Sequence, residues 1–254
     1  MKKSIIKFLI LTILIVGAYQ ATKVKPVEVK RVNQAEDNFE KAENFDFSAT
    51  ISIEEGRTGY YDLSLDGYKS GEKSKGSFGL VTEIQGSEER VEGDFIIKNR
   101  ELYLKFDEEN KPLFLDDFFA NNYNLSEEQL VENWVKIELE DKFKFSFNFP
   151  AENVEVVSEE EEFKEKEIYY YKTSLTAKQL FENQVDVDLF LGKNDLNIYQ
   201  LDVNEQITLS NGFSFKEPFQ SFSTGLSPTL KIKAEFMNFK EKKEIDMPSS
   251  ALEL

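Results

Sequence analysis

The side chains able to do chemistry are few, and their grouping is poor for catalysis. The chain has no Cys and no His among its 254 residues. No thiolate or imidazole is therefore available as nucleophile, general base or metal ligand, and most hydrolase triads and nearly all structural zinc sites are excluded. Three carboxylate groupings stand out: Asp116 with Asp117, Asp186 with Asp188, and the run Glu159 to Glu162. A glycosidase needs two carboxylates about 5–10 Å apart, but Asp186 and Asp188 alternate along a strand-like segment, where charges belong on the wet face. Asp62 and Asp66 lack the spacing of a calcium loop. Ser70-Gly71-Glu72-Lys73 has the Ser-x-x-Lys spacing, but its Gly places it in a hairpin rather than on a helix face. An acidic glycan enzyme is the weakest of the readings kept open. The expectation is no catalysis, no cofactor and no metal.

Elements that would position a binding surface are better marked. The chain carries a net charge of −17, with 40% hydrophobic residues and 23 Phe. It is too apolar for an acidic disordered chain, and too acidic to bind nucleic acid. Lys2 and Lys3 precede an apolar run from Ile5 to Ala18, broken only by Lys7 and Thr12. The pattern reads as a signal peptide over residues 1–18, with an uncleaved membrane anchor as the alternative, because the run is shorter than the roughly 20 residues a comfortable span needs. Either way the chain is expected outside the cytoplasm, secreted or N-terminally anchored. No lipobox Cys is present. Residues 19–33 read as a polar tether and 34–254 as one domain.

From Asn33 to Asn44, Ala35, Phe39 and Ala42 recur at helical spacing. Then a period of two begins. Phe45 to Ile53 alternates apolar and polar without a break, and the same period appears in Tyr61 to Asp66, Phe78 to Ile84, Val91 to Ile97, Leu102 to Phe106 and Val135 to Leu139. Phe143 to Phe149 follows, and later Val185 to Leu189, Tyr199 to Val203 and Leu230 to Phe236. That period puts alternate side chains on opposite sheet faces, and a sheet with one wet face is antiparallel. Short connections predict a meander, with Asp66-Gly67 and Asn211-Gly212 as turns or bulges. Ser126 with Gln129, and Thr176 with Gln179, have capping-box spacing; they predict helices over 127–134 and 177–183. Residues 112–124 hold Leu113, Phe114, Leu115, Phe118 and Phe119 without clean periodicity and read as a loop or lid. The Glu159–Glu162 run reads as a solvated hairpin tip.

This order resembles the bacterial LolA/LppX-like superfamily. The likeness covers residues 34–248 in layout. It is carried by Trp134-Val135-Lys136-Ile137, Tyr169 to Lys172, Leu180-Phe181, Val187 to Gly192 with Leu196 to Val203, and Ala234 to Phe239 with Ile245 to Pro248. The resemblance implies a strongly curved antiparallel sheet, an incomplete barrel, mainly β, with a few short helices over its concave face. It implies binding of a lipid, or of the acyl chain of a lipoprotein, between sheet and helices, and it brings no catalytic residues. This chain departs from it in its acidity and in lacking the lipobox some members have.

If the alternation holds, Phe47, Ile51, Leu63, Leu65, Phe78, Leu80, Phe95 and Ile97 project from one face. With Phe143 and Phe145 they form an apolar wall wide enough to need a lid, a partner or a lipid; Phe114 and Phe118 would belong to the lid. The rival reading is a dry core, in an envelope protein that binds a protein partner through its acidic face or an edge strand. The residues alone leave both open.

Overall fold

A computed structural model describes residues 27–54, 59–84, 87–107, 126–139, 149, 154–176, 184–206 and 229–253. The expected lid with Phe114 and Phe118, the segment with Phe143 and Phe145, the helix over 177–183, Asn211-Gly212 and the amino-terminal segment lie outside them.

Helix α1 (Val27–Lys41) opens the described chain. It starts six residues before the expected point, because Val29 and Val32 extend the apolar stripe of Ala35 and Phe39 and all four are buried. The segment read as a tether up to Asn33 therefore holds the first turns of this helix. At its C-terminal end the Lys69 ammonium donates to the carbonyls of Ala42 and Glu43, meeting acceptors that a helix end leaves unsatisfied. Burial holds the Lys69 pKa below its ordinary value despite the nearby Glu43 charge.

Twelve strands follow among the described residues: β1 (Asn44–Glu54), β2 (Gly59–Ser70), β3 (Lys73–Ile84), β4 (Ser87–Lys98), β5 (Glu101–Phe106), β6 (Val135–Glu138), β7 (Glu155–Phe163), β8 (Lys166–Thr176), β9 (Gln184–Gly192), β10 (Ile198–Gln206), β11 (Thr229–Met237) and β12 (Leu252–Glu253). Helix α2 (Glu127–Glu132) precedes β6, opened by the expected reciprocal cap between Ser126 and Gln129. The strands make one large curved sheet that does not close into a barrel. Its order is β12-β6-β5-β4-β3-β2-β1-β11-β10-β9-β8-β7. Two meanders, β1 to β6 and β7 to β11, are joined where β1 pairs antiparallel with β11; only the short β12 runs parallel to its neighbour.

The register turns the period of two into continuous rows. Val203, Ile232, Ile51, Leu63, Leu80 and Val91 face one another in succession across six strands. A second row runs from Tyr171 through Leu189, Leu201, Ala234, Ala49, Leu65 and Phe78 to Gly93 and Phe106. A third joins Phe236, Phe47, Gly67, Gly76, Phe95 and Leu104. Directly opposed pairs of this kind are what stabilise a sheet.

Three expectations are corrected. Asp66-Gly67 is no turn: it lies within β2, with Gly67 opposite Gly76 in unbroken register. A Cβ on Gly67 would stand 2.9 Å from the Phe47 ring and 2.4 Å from the Lys75 carbonyl oxygen, so this glycine makes room for a ring from the next strand rather than a bend. Glu159 to Glu162 lie inside β7; the hairpin turns instead at Lys164 and Glu165, both with positive φ. Residues 245–248, which the superfamily resemblance would make part of a last strand, form no strand. Ile245 is buried and its carbonyl accepts from Lys73 Nζ at 2.7 Å, which anchors the tail before β12 pairs with β6.

On the opposite face, Asp202 lies between Asp188 of β9 and Lys233 of β11. Its Oδ2 accepts from Gln200 Nε2 at 2.6 Å, while its Oδ1 is buried with no hydrogen-bond partner. Burial raises the Asp202 pKa above 3.8 despite the opposing pull of Gln200 and Lys233. A raised carboxylate pKa in the fold means that the charged form is disfavoured there, so the penalty is absent below the unfolded-state pKa and grows as pH rises through the folded one. Asp202→Asn is expected to raise the melting temperature at neutral pH, with the gain vanishing near pH 3. Thermal scans across pH check this; an unchanged or lowered midpoint at pH 7 would contradict it.

Candidate functional site

The apolar face collects Phe47, Ile51, Leu63, Leu65, Phe78, Leu80, Phe95 and Ile97 into one buried cluster with residues from α1, α2 and both meanders. Phe114, Phe118, Phe143 and Phe145 cannot be placed with them, being outside the described residues.

Helix α1 lies on this face through aromatic packing. Phe39 meets Phe45 at 5.0 Å between ring centroids and Phe236 edge-on at 4.7 Å, and Phe45 meets Phe236 edge-on at 5.7 Å. Arg31 lies 4.2 Å over the Tyr169 ring and donates to the Tyr171 hydroxyl at 3.1 Å. The helix thus spans the junction between the meanders. It is about 22 Å long, whereas twelve strands side by side extend about 55 Å, so α1 covers only part of the face.

The cover is uneven. Phe95 is 1% exposed, and Leu63, Leu80 and Ile97 are as deeply sealed. Over β11, β1 and β2 the cover thins: Phe47, Ile51, Leu65 and Ala234 are each 6% exposed, and Ala49, in the middle of them, is only half-buried. Ala49 and Ala234 face each other directly, so two methyl-sized side chains stand side by side between Leu65 and Leu201 in this row. The rows carry no charged side chain there; contact with this floor would be by apolar burial. Ala49 gave no signal in the sequence beyond its place in the alternation, because its importance comes from what stands opposite.

Two further hollows, about 310 and 500 Å³, adjoin at the end of the sheet where β8, β9 and β11 turn. Polar residues line much of both. Among the described residues no group of three or more carboxylates could hold a metal ion, and Asp186 and Asp188 stand on the polar face as expected.

Comparison with known proteins gives no matching family model and no matching curated protein. Several solved structures are similar. Among them are LprF from Mycobacterium bovis (7% identity, TM-score 0.43, covering 89% of this chain and 99% of that one), the LolA superfamily protein NE2245 from Nitrosomonas europaea (7%, 0.25, 85% and 94%) and a DUF1329 family protein from Desulfovibrio piger (13%, 0.25, 85% and 94%). The second bears the name of the superfamily that the sequence resembles. Neither the architecture of the sheet nor the geometry of the site depends on these likenesses.

Proposed function

We propose that the protein is an exported, non-catalytic binding protein that holds one acyl chain, of a lipid or of an acylated protein, on the apolar floor around Ala49. The observation that carries this reading is the thinner cover at Ala49, Leu65 and Ala234 than over Leu63, Leu80 and Phe95. A chain laid there would be ringed by Phe47, Ile51 and Ile232 and would need no polar contact. Export is supported by the basic and apolar amino-terminal pattern.

Each methylene buried contributes about 0.8 kcal/mol, or roughly fourfold in affinity. Titration with saturated fatty acids of increasing length should show that step until the floor is filled. Ala49→Trp puts an indole ring on this floor and should abolish binding while leaving the thermal transition in place. Equal affinity across the series, or full binding by Ala49→Trp, would refute the reading.

A second reading, an envelope protein that binds a protein partner, is favoured by β7. Among the described residues this edge strand pairs only with β8, and it exposes Val156 and Val157 at 39% and 43%. An exposed edge of this kind is a template for strand addition. Val156→Lys would then cost partner capture and leave fatty-acid binding untouched.

A further inference from the structure

The geometry points to an anion site, separate from the apolar floor, that takes a phosphate group in the hollow lined by Lys164, Lys166, Lys240, Asn197, Tyr199 and Asn238. This does not rest on the acyl-chain reading.

Three lysines converge here in a chain whose net charge is −17. Each arrives from a different place in the fold: Lys164 from the β7–β8 turn, Lys166 from the start of β8, and Lys240 from the turn after β11. Among the described residues lining the hollow, Asp195 is the only carboxylate, and it is already engaged. Its Oδ1 accepts from the Asn197 amide N–H, and its Oδ2 accepts from Asn197 Nδ2 at 3.1 Å and from the Tyr199 hydroxyl at 2.7 Å. Glu235, outside the lining, pairs with Lys164 and also with Lys233. Lys164 is thereby largely neutralised, which leaves Lys166 and Lys240 as the ammonium groups for a ligand.

Lys166 is an exposed residue, but its ammonium is tied to the sheet. It donates to the Tyr199 hydroxyl at 2.8 Å, its ammonium 4.7 Å from the centre of that ring. The hydroxyl passes its own proton toward Asp195, so the chain Lys166–Tyr199–Asp195 has one direction of donation. An ammonium has three N–H donors; one is used on Tyr199 and the others remain for an acceptor. Hydrogen bonding to Tyr199 also raises the Lys166 pKa, against the effect of burial, so it stays charged at any physiological pH.

The backbone here is unusual too. Of six non-glycine residues with positive φ among the described residues, five lie at this end: Lys164, Glu165, Leu196, Asn238 and Lys240. Each costs energy that ordinary turn residues such as glycine would avoid. Asn238 is held by its side chain, which donates to Asp46 Oδ2 at 2.6 Å. The Lys240 amide donates to the Asn44 carbonyl at 3.2 Å. The turn after β11 is thus tied to β1 and presents Lys240 to the hollow at a fixed place. Lys166, tied to Tyr199, and Lys240, on a turn whose backbone is anchored, both line a hollow of about 310 Å³, and such a pair of lysines suits a phosphate, whose oxygens accept charge-assisted hydrogen bonds. That phosphate could belong to a lipid headgroup or to a free phosphate compound.

The test uses the full chain in maltoside detergent, with backbone amide NMR shifts followed on addition of inorganic phosphate. Saturable shifts at Asn197, Asn238 and Lys240 are expected, and Lys166→Gln combined with Lys240→Gln should weaken binding at least roughly tenfold. Lys172→Gln, a lysine of β8 outside the hollow, should change affinity less than about twofold. Phosphatidylglycerol added to the micelles should displace phosphate if the source is a headgroup; phosphate binding without that competition assigns a free phosphate compound, and either result supports the site. No saturable shift with either probe would overturn it, as would equal weakening by Lys172→Gln, which would reduce the effect to general charge. Fatty-acid binding by the double variant separates this outcome from any failure on the apolar floor.

Discussion

Phe95→Asp is expected to leave most of the protein unfolded at room temperature. Phe95 is sealed, faces Gly76 on one neighbour and Leu104 on the other, and its ring lies 6.3 Å from that of Phe47. Removing a buried phenylalanine ring costs about 3–5 kcal/mol. Aspartate adds an unpaired carboxylate with no donor in that row, a further cost of several kcal/mol. The sum rivals the whole stability of a typical domain, about 5–15 kcal/mol. Asp94→Asn, one residue away on the exposed face, should move stability by less than about 0.5 kcal/mol. Urea unfolding followed by circular dichroism compares the two, and a folded Phe95→Asp protein would show that this part of the face is open. The contrast with Ala49 bears on the proposed function: an acyl chain bound over β11, β1 and β2 would leave the Phe95 region as scaffold.

The second large effect is expected at Phe39→Ala. This side chain joins α1 to the sheet at the seam between the meanders, through Phe45 of β1 and Phe236 of β11. Losing it should cost about 3–5 kcal/mol, concentrated on the helix, because 15 residues are marginal as an isolated helix in water. Hydrogen exchange followed by mass spectrometry should show α1 losing protection first, with β2 to β4 retaining theirs. Asp37→Ala is the control: its ion pair with Lys41 is solvent-exposed and worth little. If α1 and the sheet lose protection together, the helix is part of one cooperative unit and not a separable cover.

Some of this was legible without coordinates. A charge-and-apolar alternation fixes which side chains share a face, since a strand has only two faces, and Phe45 to Ile53 or Leu230 to Phe236 could be read by that rule alone. The cap at Ser126 was equally local, needing only a hydroxyl and a Gln three residues on. Boundaries failed where an interaction across the fold decided them. The start of α1 depends on Val29 and Val32 meeting the sheet. Gly67, a turn by local habit, is a mid-strand residue because a ring from β1 fills the space above it. The Glu run of β7 read as a loop because this edge strand exposes consecutive residues, from Glu155 to Val157 and again at Glu161 and Glu162, and so shows no apolar alternation.

The residues by themselves determined the kind of protein: antiparallel β, one apolar face, acidic, without thiol or imidazole side chains. Those properties follow from residue type and from separations of a few positions. Tertiary structure alone decided that β1 pairs with β11, which joins two meanders into one open sheet and brings Ala49 opposite Ala234. It alone brought Lys166 and Lys240, 74 positions apart in the chain, to one hollow. Periodicity states which way a side chain points and carries no information about which distant strand will lie beside it. That is set by the total apolar area each pairing buries and by whether the turns between strands can close.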